Sequence, residues 1–162
     1  MSAEDSFLTK ELKNKIRSLE TYKDIKQTNL DNKAVILSES RKMLDAEVKN
    51  LDNLKQYYQE LTLEKTTENT FLFHQIKNSL IISAHDNIVK SQLKLAALNL
   101  CFADALSAWR QAFSEFKAIE SVIESKTSEI NFLEDKKEAA ENDEIGQILF
   151  GLRKYDQAGN SV

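Results

Sequence analysis

The chain contains no proline, and its three glycines all lie at position 146 or later. Proline and glycine are the residues that most often end helices and form turns. Their absence from residues 1–145 therefore predicts very long helices and argues against any sheet. It also excludes a glycine-rich phosphate-binding loop, which needs the close backbone approach that only glycine permits. We predict an all-α protein, and its 162 residues are enough for one domain.

The first long segment runs to about Glu64 and carries a narrow apolar seam. The seam follows a heptad repeat whose a row is mostly apolar, whereas the middle of its d row is polar. Such a stripe is too narrow to form a core alone, so we expect this helix to lie along a broader partner. The a positions are Ile16, Lys23, Leu30, Leu37, Leu44, Leu51 and Tyr58, and the d positions are Leu19, Lys26, Lys33, Ser40, Glu47, Leu54 and Leu61.

The stretch Lys65–Thr70 is the best candidate for a turn between two helices. Its threonine and asparagine side chains compete for backbone groups and therefore favour caps and turns. Asn69 or Thr70 is placed to cap a helix that begins at Phe71. The heptad phase changes across this stretch, and we favour a turn over one unbroken helix with a stutter. A turn here divides the chain into two arms, as an antiparallel hairpin requires.

The second long segment keeps one heptad register as far as Leu133, and its apolar surface is broadest over Leu93–Phe116. Leu93 and Leu100 lie off the seam and are apolar too, so this part of the helix needs cover on several sides. We predict an assembly core that is completed by oligomerisation, with a two-fold dimer as the simplest form. The core residues predicted for it are Ile81, Ile88, Leu95, Leu98, Phe102, Ala105, Trp109, Ala112, Phe116 and Ile119. The whole seam has its a positions at Ile81, Ile88, Leu95, Phe102, Trp109, Phe116, Ile123 and Ile130, and its d positions at Ala84, Ser91, Leu98, Ala105, Ala112, Ile119, Lys126 and Leu133.

The polar run Asn142–Glu144 interrupts the periodic pattern, and a short apolar stripe follows it. We predict a hairpin over residues 1–143 with its turn near 65–70, a short amphipathic helix at 144–155 and a disordered tail at 156–162. The short helix either folds back onto the hairpin or docks into a groove on a partner. Its stripe consists of Ile145, Ile148, Leu149 and Leu152.

No group of residues indicates catalysis or metal binding. His74 and His85 are too far apart along a helix to share one ion, and neither has a glutamate three residues before it. The single cysteine, Cys101, has no histidine within two helical turns to activate it, so we expect a buried structural thiol. Asp104 is an acid inside the apolar stretch, and we expect it to be exposed. These observations predict no enzyme activity, no cofactor and no bound metal.

The charge pattern disfavours nucleic acid as a partner. The net charge is -4, and no segment of the chain is strongly basic. A lone cysteine fits a reducing compartment, and the acidic N-terminus lacks the apolar core of a signal peptide. The sequence also contains no apolar run of membrane-spanning length. We therefore expect a cytoplasmic protein.

Together these patterns predict an elongated antiparallel helical hairpin or coiled coil followed by a short C-terminal helix. The function that fits best is a helical scaffold or assembly subunit that acts through coiled-coil contacts with other proteins. Its partners are then a second copy of the chain or the other subunits of a larger helical complex. The alternative is a peripheral domain on a membrane or lipid surface, of the curvature-sensing or granule-coating type, with Lys10, Lys13 and Arg17 among its lipid contacts. The periodicity is common to several classes of long helical protein, and no motif selects one of them.

Overall fold

Two long helices make up the protein. The computed structural model describes residues 3–65 and 70–159, and their side chains over 6–65 and 70–154. Helix α1 spans Ala3–Leu63 and helix α2 spans Phe71–Gly159, and the two pack as an antiparallel hairpin. The described residues contain no strand. The predicted all-α hairpin is confirmed.

The break between the helices lies in the stretch where the sequence predicted a turn. The Glu64 amide donates a hydrogen bond to the Glu60 carbonyl at 3.0 Å, and the Thr70 carbonyl accepts one from His74 at 3.2 Å. The ammonium of Lys77 donates to the Glu64 carbonyl at 2.6 Å, so a side chain of α2 satisfies a backbone oxygen that α1 leaves open at its end. Residues 66–69, and with them the proposed cap Asn69, lie outside the described residues.

The hairpin divides into two compact units, and each unit contains a part of both helices. One unit comprises Thr28–Phe113, and the other comprises Met1–Gln27 with Ser114–Val162. The buried apolar residues of the first are Leu30, Leu51, Ala84, Ile88 and Ala112, and those of the second are Leu12, Phe116 and Ile130. No large side chain in the described residues is completely buried, because two paired helices cover only one face of each other.

The heptad register read from the sequence is confirmed by burial. Every predicted a and d residue from Ile16 to Leu61 and from Ile81 to Leu133 is buried or half-buried. Lys23, Lys26 and Lys126 fit the seam because their methylene stems lie along it while their ammonium groups reach carboxylates. In the second unit, Lys26 bonds to Glu115 at 2.6 Å, and the ammonium of Lys23 lies 5.6 Å from the centre of the Phe116 ring.

The C-terminal part differs from the sequence-based prediction. Helix α2 continues through Asn142–Glu144 as far as Gly159, so residues 144–155 do not form a separate helix. The polar run lowers helix propensity only slightly. Gly146 and Gly151 each destabilise a helix by about 1 kcal/mol relative to alanine, but neither interrupts the backbone hydrogen bonds of α2. Of the predicted disordered tail, the backbone of residues 156–159 is helical, and 160–162 lie outside the described residues.

Candidate functional site

The residues predicted for the assembly core all lie on the seam between the two helices. In the unit Thr28–Phe113, Ile88 and Ala112 are buried, and the others are half-buried. In the unit formed by the two ends of the chain, Phe116 is buried and Ile119 is half-buried. These side chains therefore pack within one chain. A role for them in joining chains stays a prediction. The half-buried members of the first unit are Ile81, Leu95, Leu98, Phe102, Ala105 and Trp109.

A carboxylate stands at the centre of the seam in this unit. The side chain of Glu47 is only 6% exposed, and its Oε1 accepts hydrogen bonds from Ser91 Oγ at 2.6 Å and Asn50 Nδ2 at 3.0 Å. Its Oε2 pairs with the ammonium of Lys94 at 2.7 Å. Hydrogen bonds from Lys94, Ser91 and Asn50, in that order, lower the pKa of Glu47 to about 2 from its ordinary 4.5. The carboxylate is thus held ionised between the helices by three donors.

Aromatic residues line the same unit on both sides of this carboxylate. The rings of Trp109 and Phe113 stack with their centres 5.4 Å apart, and the Arg41 guanidinium lies 5.7 Å from the centre of the Phe102 ring. Towards the turn, the rings of Tyr58 and His85 are 6.2 Å apart at a tilt of 56°. These contacts join α1 to α2 or stiffen α2, and none of them brings a nucleophile to a base.

A second apolar stripe, which the sequence reading did not recognise as periodic, runs along the side of α2 that faces away from α1. Leu93 is 68% exposed and Leu100 is 69% exposed, and the alanines between and beyond them are exposed as well. The signal was present in the sequence, since these residues recur at alternating steps of three and four, which is the spacing of a second helix-packing seam. We call this set the outer stripe: Ile82, Val89, Leu93, Ala96, Leu100 and Ala103.

The positions of two other residues test the sequence-based expectations. Cys101 is exposed, so the prediction of a buried thiol is wrong. It precedes the seam residue Phe102 and lies on the flank of α2, which α1 does not cover. Asp104 is exposed, as expected.

The last part of α2 is a single helix with exposed apolar side chains. Lys13 pairs with Glu134 at 2.7 Å, and counting outwards from that antiparallel pair brings Ala3, the first residue of α1, level with Glu144. Every residue from Glu134 to Phe150 is exposed. Ile145, Ile148, Leu149 and Leu152 are 56%, 57%, 61% and 60% exposed, so the structure contradicts the reading in which this stripe folds back onto the hairpin.

Neither a metal-binding cluster nor a membrane-spanning helix occurs in the described residues. They contain no group of three or more His, Cys, Asp or Glu side chains that could hold a metal ion. The described parts of α1 and α2 also lack a stretch apolar enough to cross a bilayer.

The whole sequence supplies the identification. It matches the family described as Flagellar FliJ protein over residues 14–154, which is more than half of the chain. The chain belongs to the FliJ family. No curated protein and no solved structure matches it significantly.

FliJ proteins are non-enzymatic helical coiled-coil assembly subunits of the flagellar export apparatus. The hairpin of α1 and α2 fits that description, and the predicted function of a helical assembly subunit acting through protein contacts is confirmed. The family works with other flagellar export proteins, which agrees with the predicted placement in a larger complex.

Proposed function

We propose that this FliJ chain binds another protein of the flagellar export apparatus through the end of α2 that extends beyond α1. The observation that carries the proposal is the exposure of Ile145, Ile148, Leu149 and Leu152, each more than half exposed, on a part of α2 that extends beyond the first residue of α1. Four apolar side chains at helical spacing form the kind of face that an amphipathic helix lays into a groove.

The acidic surroundings of the stripe indicate the chemistry of its partner. Glu138, Glu141, Asp143 and Glu144 precede it on the same helix, and Arg153 and Lys154 follow it. A matching groove on the partner has an apolar floor and basic residues at the end that receives these acidic side chains. Opposite charges there speed association and fix the direction in which the helix binds. In this proposal the chain binds its partner in the cytoplasm. The chain itself carries out no reaction.

The test compares binding of purified export-apparatus proteins by two variants with one matched control. Ile148→Asp and Leu152→Asp place a charge in the stripe, whereas Gln147→Asp places the same charge on the opposite side of the helix. We expect each stripe variant to lose at least tenfold in affinity. An unpaired charge at an apolar contact costs more than about 1.4 kcal/mol of binding free energy, which corresponds to a tenfold change in affinity. Equal binding by all three variants would overturn the proposal.

The same variants separate this function from the membrane-surface alternative. Vesicles of anionic lipid at low salt serve as the probe, because that composition gives the strongest electrostatic attraction. We expect no sedimentation of the chain with vesicles. Sedimentation that Leu152→Asp abolishes and Gln147→Asp preserves would instead support a lipid-binding role for the stripe.

A further inference from the structure

The outer stripe of α2 forms a second, unpartnered seam within the unit Thr28–Phe113. Its members recur at steps of seven, four, three, four and three residues, and all of them are exposed. Asp86, Ser107 and Arg110 occupy the adjoining positions of the same spacing and are exposed too. A helix with apolar seams on two opposite sides requires a further helix beyond the one supplied by its own hairpin.

Charges on either side of the run Val89–Ala103 make this part of the outer stripe complementary to itself. Asp86 stands on the N-terminal side of Val89, Leu93, Ala96, Leu100 and Ala103, and Arg110 stands on the C-terminal side. Lys90 and Asp104 lie one helical position to the side, near the two ends of the same run. Among the described residues none of these four charged side chains forms an ion pair. The N-terminal end of this run therefore carries Asp86 and Lys90, and its C-terminal end carries Arg110 and Asp104, so that acid and base exchange places between the two ends.

We propose that a second copy of this chain packs antiparallel on the outer stripe and forms a two-fold dimer. In an antiparallel pair, a step forward on one helix matches a step backward on the other. The register that places Asp86 opposite Arg110 of the second copy also places Leu93 opposite Ala103, and Leu100 opposite Ala96. Large side chains then meet small ones in both central layers, which lets the helices approach closely.

The same register brings the flanking charges together. In the hairpin itself, Lys13 and Glu134 flank the seam on the same side and pair with each other across the two helices. The equivalent rule for the outer stripe pairs Lys90 with Asp104 of the second copy. The dimer thus contains two Asp86–Arg110 pairs and two Lys90–Asp104 pairs, because two-fold symmetry repeats each contact.

Neighbouring registers are less favourable because each leaves a charge against an apolar residue. A slip of one heptad in one direction sets Asp86 opposite Ala103, and a slip in the other sets Leu93 opposite Arg110. An unpaired charge at an apolar layer disfavours both registers. The charges therefore select one register, and the apolar layers hold it.

The mass of the full chain, measured by light scattering over a range of micromolar concentrations, tests whether the dimer exists. We expect a dimer that Leu93→Lys converts to monomer and that Val35→Lys leaves intact. Val35 is an exposed apolar residue of α1 in the same unit and serves as the matched control. Circular dichroism of both variants checks that the helices persist. A wild-type chain that remains monomeric throughout overturns the proposal.

Charge exchange tests the pairing. Arg110→Asp alone turns both of its pairs into repulsions, and we expect the dissociation constant of the dimer to rise about tenfold. Adding Asp86→Arg in the same chain restores both pairs with reversed polarity, so the double variant should return to within about threefold of wild type. A double variant that is weaker than the single one contradicts the register.

Disulfide cross-linking in a Cys101→Ser background fixes the register directly. Val89→Cys with Ser107→Cys places two thiols opposite each other in the proposed layer, whereas one helix holds them about 27 Å apart. Ser107→Cys combined with Ile82→Cys or with Ala96→Cys reports the two slipped registers. We expect covalent dimers from the first pair only. Dimers from a slipped pair overturn the register, and neither result bears on the binding of export proteins by the end of α2, which is measured separately.

Discussion

Glu47 of α1 accepts a hydrogen bond from Ser91 of α2 at 2.6 Å, and both residues occupy core positions of the heptad seam. A carboxylate at a core position is tolerated because Asn50 and Lys94 satisfy its remaining acceptor sites. The pair places one polar layer between Leu44 and Leu51 on α1. Isolated polar layers of this kind specify register in coiled coils.

Removing the carboxylate should destabilise the hairpin. Glu47→Ala leaves Ser91 and Asn50 without their shared acceptor and removes the partner of Lys94, so we expect a lower urea midpoint than for the wild-type chain. Glu47→Gln keeps an acceptor oxygen and should fall between the two. Glu39→Ala, an exposed acid of the same helix, is the control and should match wild type within about 0.5 kcal/mol. A Glu47→Ala midpoint equal to that of the control would show that the layer contributes nothing to stability.

The same layer predicts a dependence of stability on pH. The pKa of Glu47 lies at about 2 in the folded chain and at an ordinary 4.5 when the chain is unfolded. The unfolded state therefore takes up the proton first as the pH falls. The contribution of this carboxylate is complete above the unfolded pKa and is lost as the pH falls from about 4.5 towards 2.

Urea titrations of wild type and Glu47→Gln at neutral and acidic pH measure this effect. The pKa values of Glu11 and Glu120 are also lowered, chiefly by hydrogen bonds from Lys15 and Lys117 respectively. Both chains contain these two residues, and the amide of Glu47→Gln does not titrate. The difference in free energy of unfolding between the two chains therefore reports on Glu47 alone. We expect the difference to shrink on acidification below about pH 4.5. A difference that stays constant down to about pH 3 would mean that the hydrogen bonds do not hold the carboxylate ionised.

The sequence predicted the hairpin well because few physical effects compete over most of its length. Without proline or glycine before position 146, the heptad spacing decided which residues of Ile16–Leu61 and Ile81–Leu133 face the seam. Cys101 was misplaced because its apolar neighbours were taken as a sign of burial, although a single partner helix covers only one side of α2. The prediction of a helix break at Asn142–Glu144 was wrong because polar residues without a helix breaker do not end a helix.

The two proposed binding surfaces were harder to predict than the fold. Leu93 and Leu100 were recognised as lying off the seam, and their spacing with the neighbouring alanines can be read from the sequence. Their exposure is shown only by the burial pattern. The exposure of Leu149 and Leu152 likewise depends on where α1 begins relative to α2, which no local pattern in the sequence states. The family match shows only that FliJ proteins work with other flagellar export proteins, and no motif in the chain names a partner.

Burial in the seam predicts which isoleucines of α2 stabilise the hairpin. Ile88 is 9% exposed, whereas Ile76 on the same helix is 53% exposed. Ile88→Ala should lower the free energy of unfolding by about 2 kcal/mol or more, the cost of a buried large-to-small change, and Ile76→Ala by less than about 1 kcal/mol. Urea denaturation followed by circular dichroism measures both. Similar losses at the two positions would contradict the orientation of α2 against α1.

The end of α2 should be dispensable for the stability of the hairpin. Deleting residues 145–162 removes helix that extends beyond Ala3 of α1, where all described residues from Glu134 to Phe150 are exposed. We expect the melting temperature to change by no more than about 2 °C, because almost no apolar surface is uncovered in the remaining chain. The total ellipticity should fall in proportion to the helix removed, while binding of export proteins should be lost if the stripe is the docking site. Deleting residues 3–20 removes the seam residues Leu12, Ile16 and Leu19 and uncovers the buried Ile130, which lies level with this part of α1. This deletion is the contrasting variant and should lower the melting temperature strongly. A large drop on C-terminal deletion would instead place Ile145–Leu152 against another part of the chain.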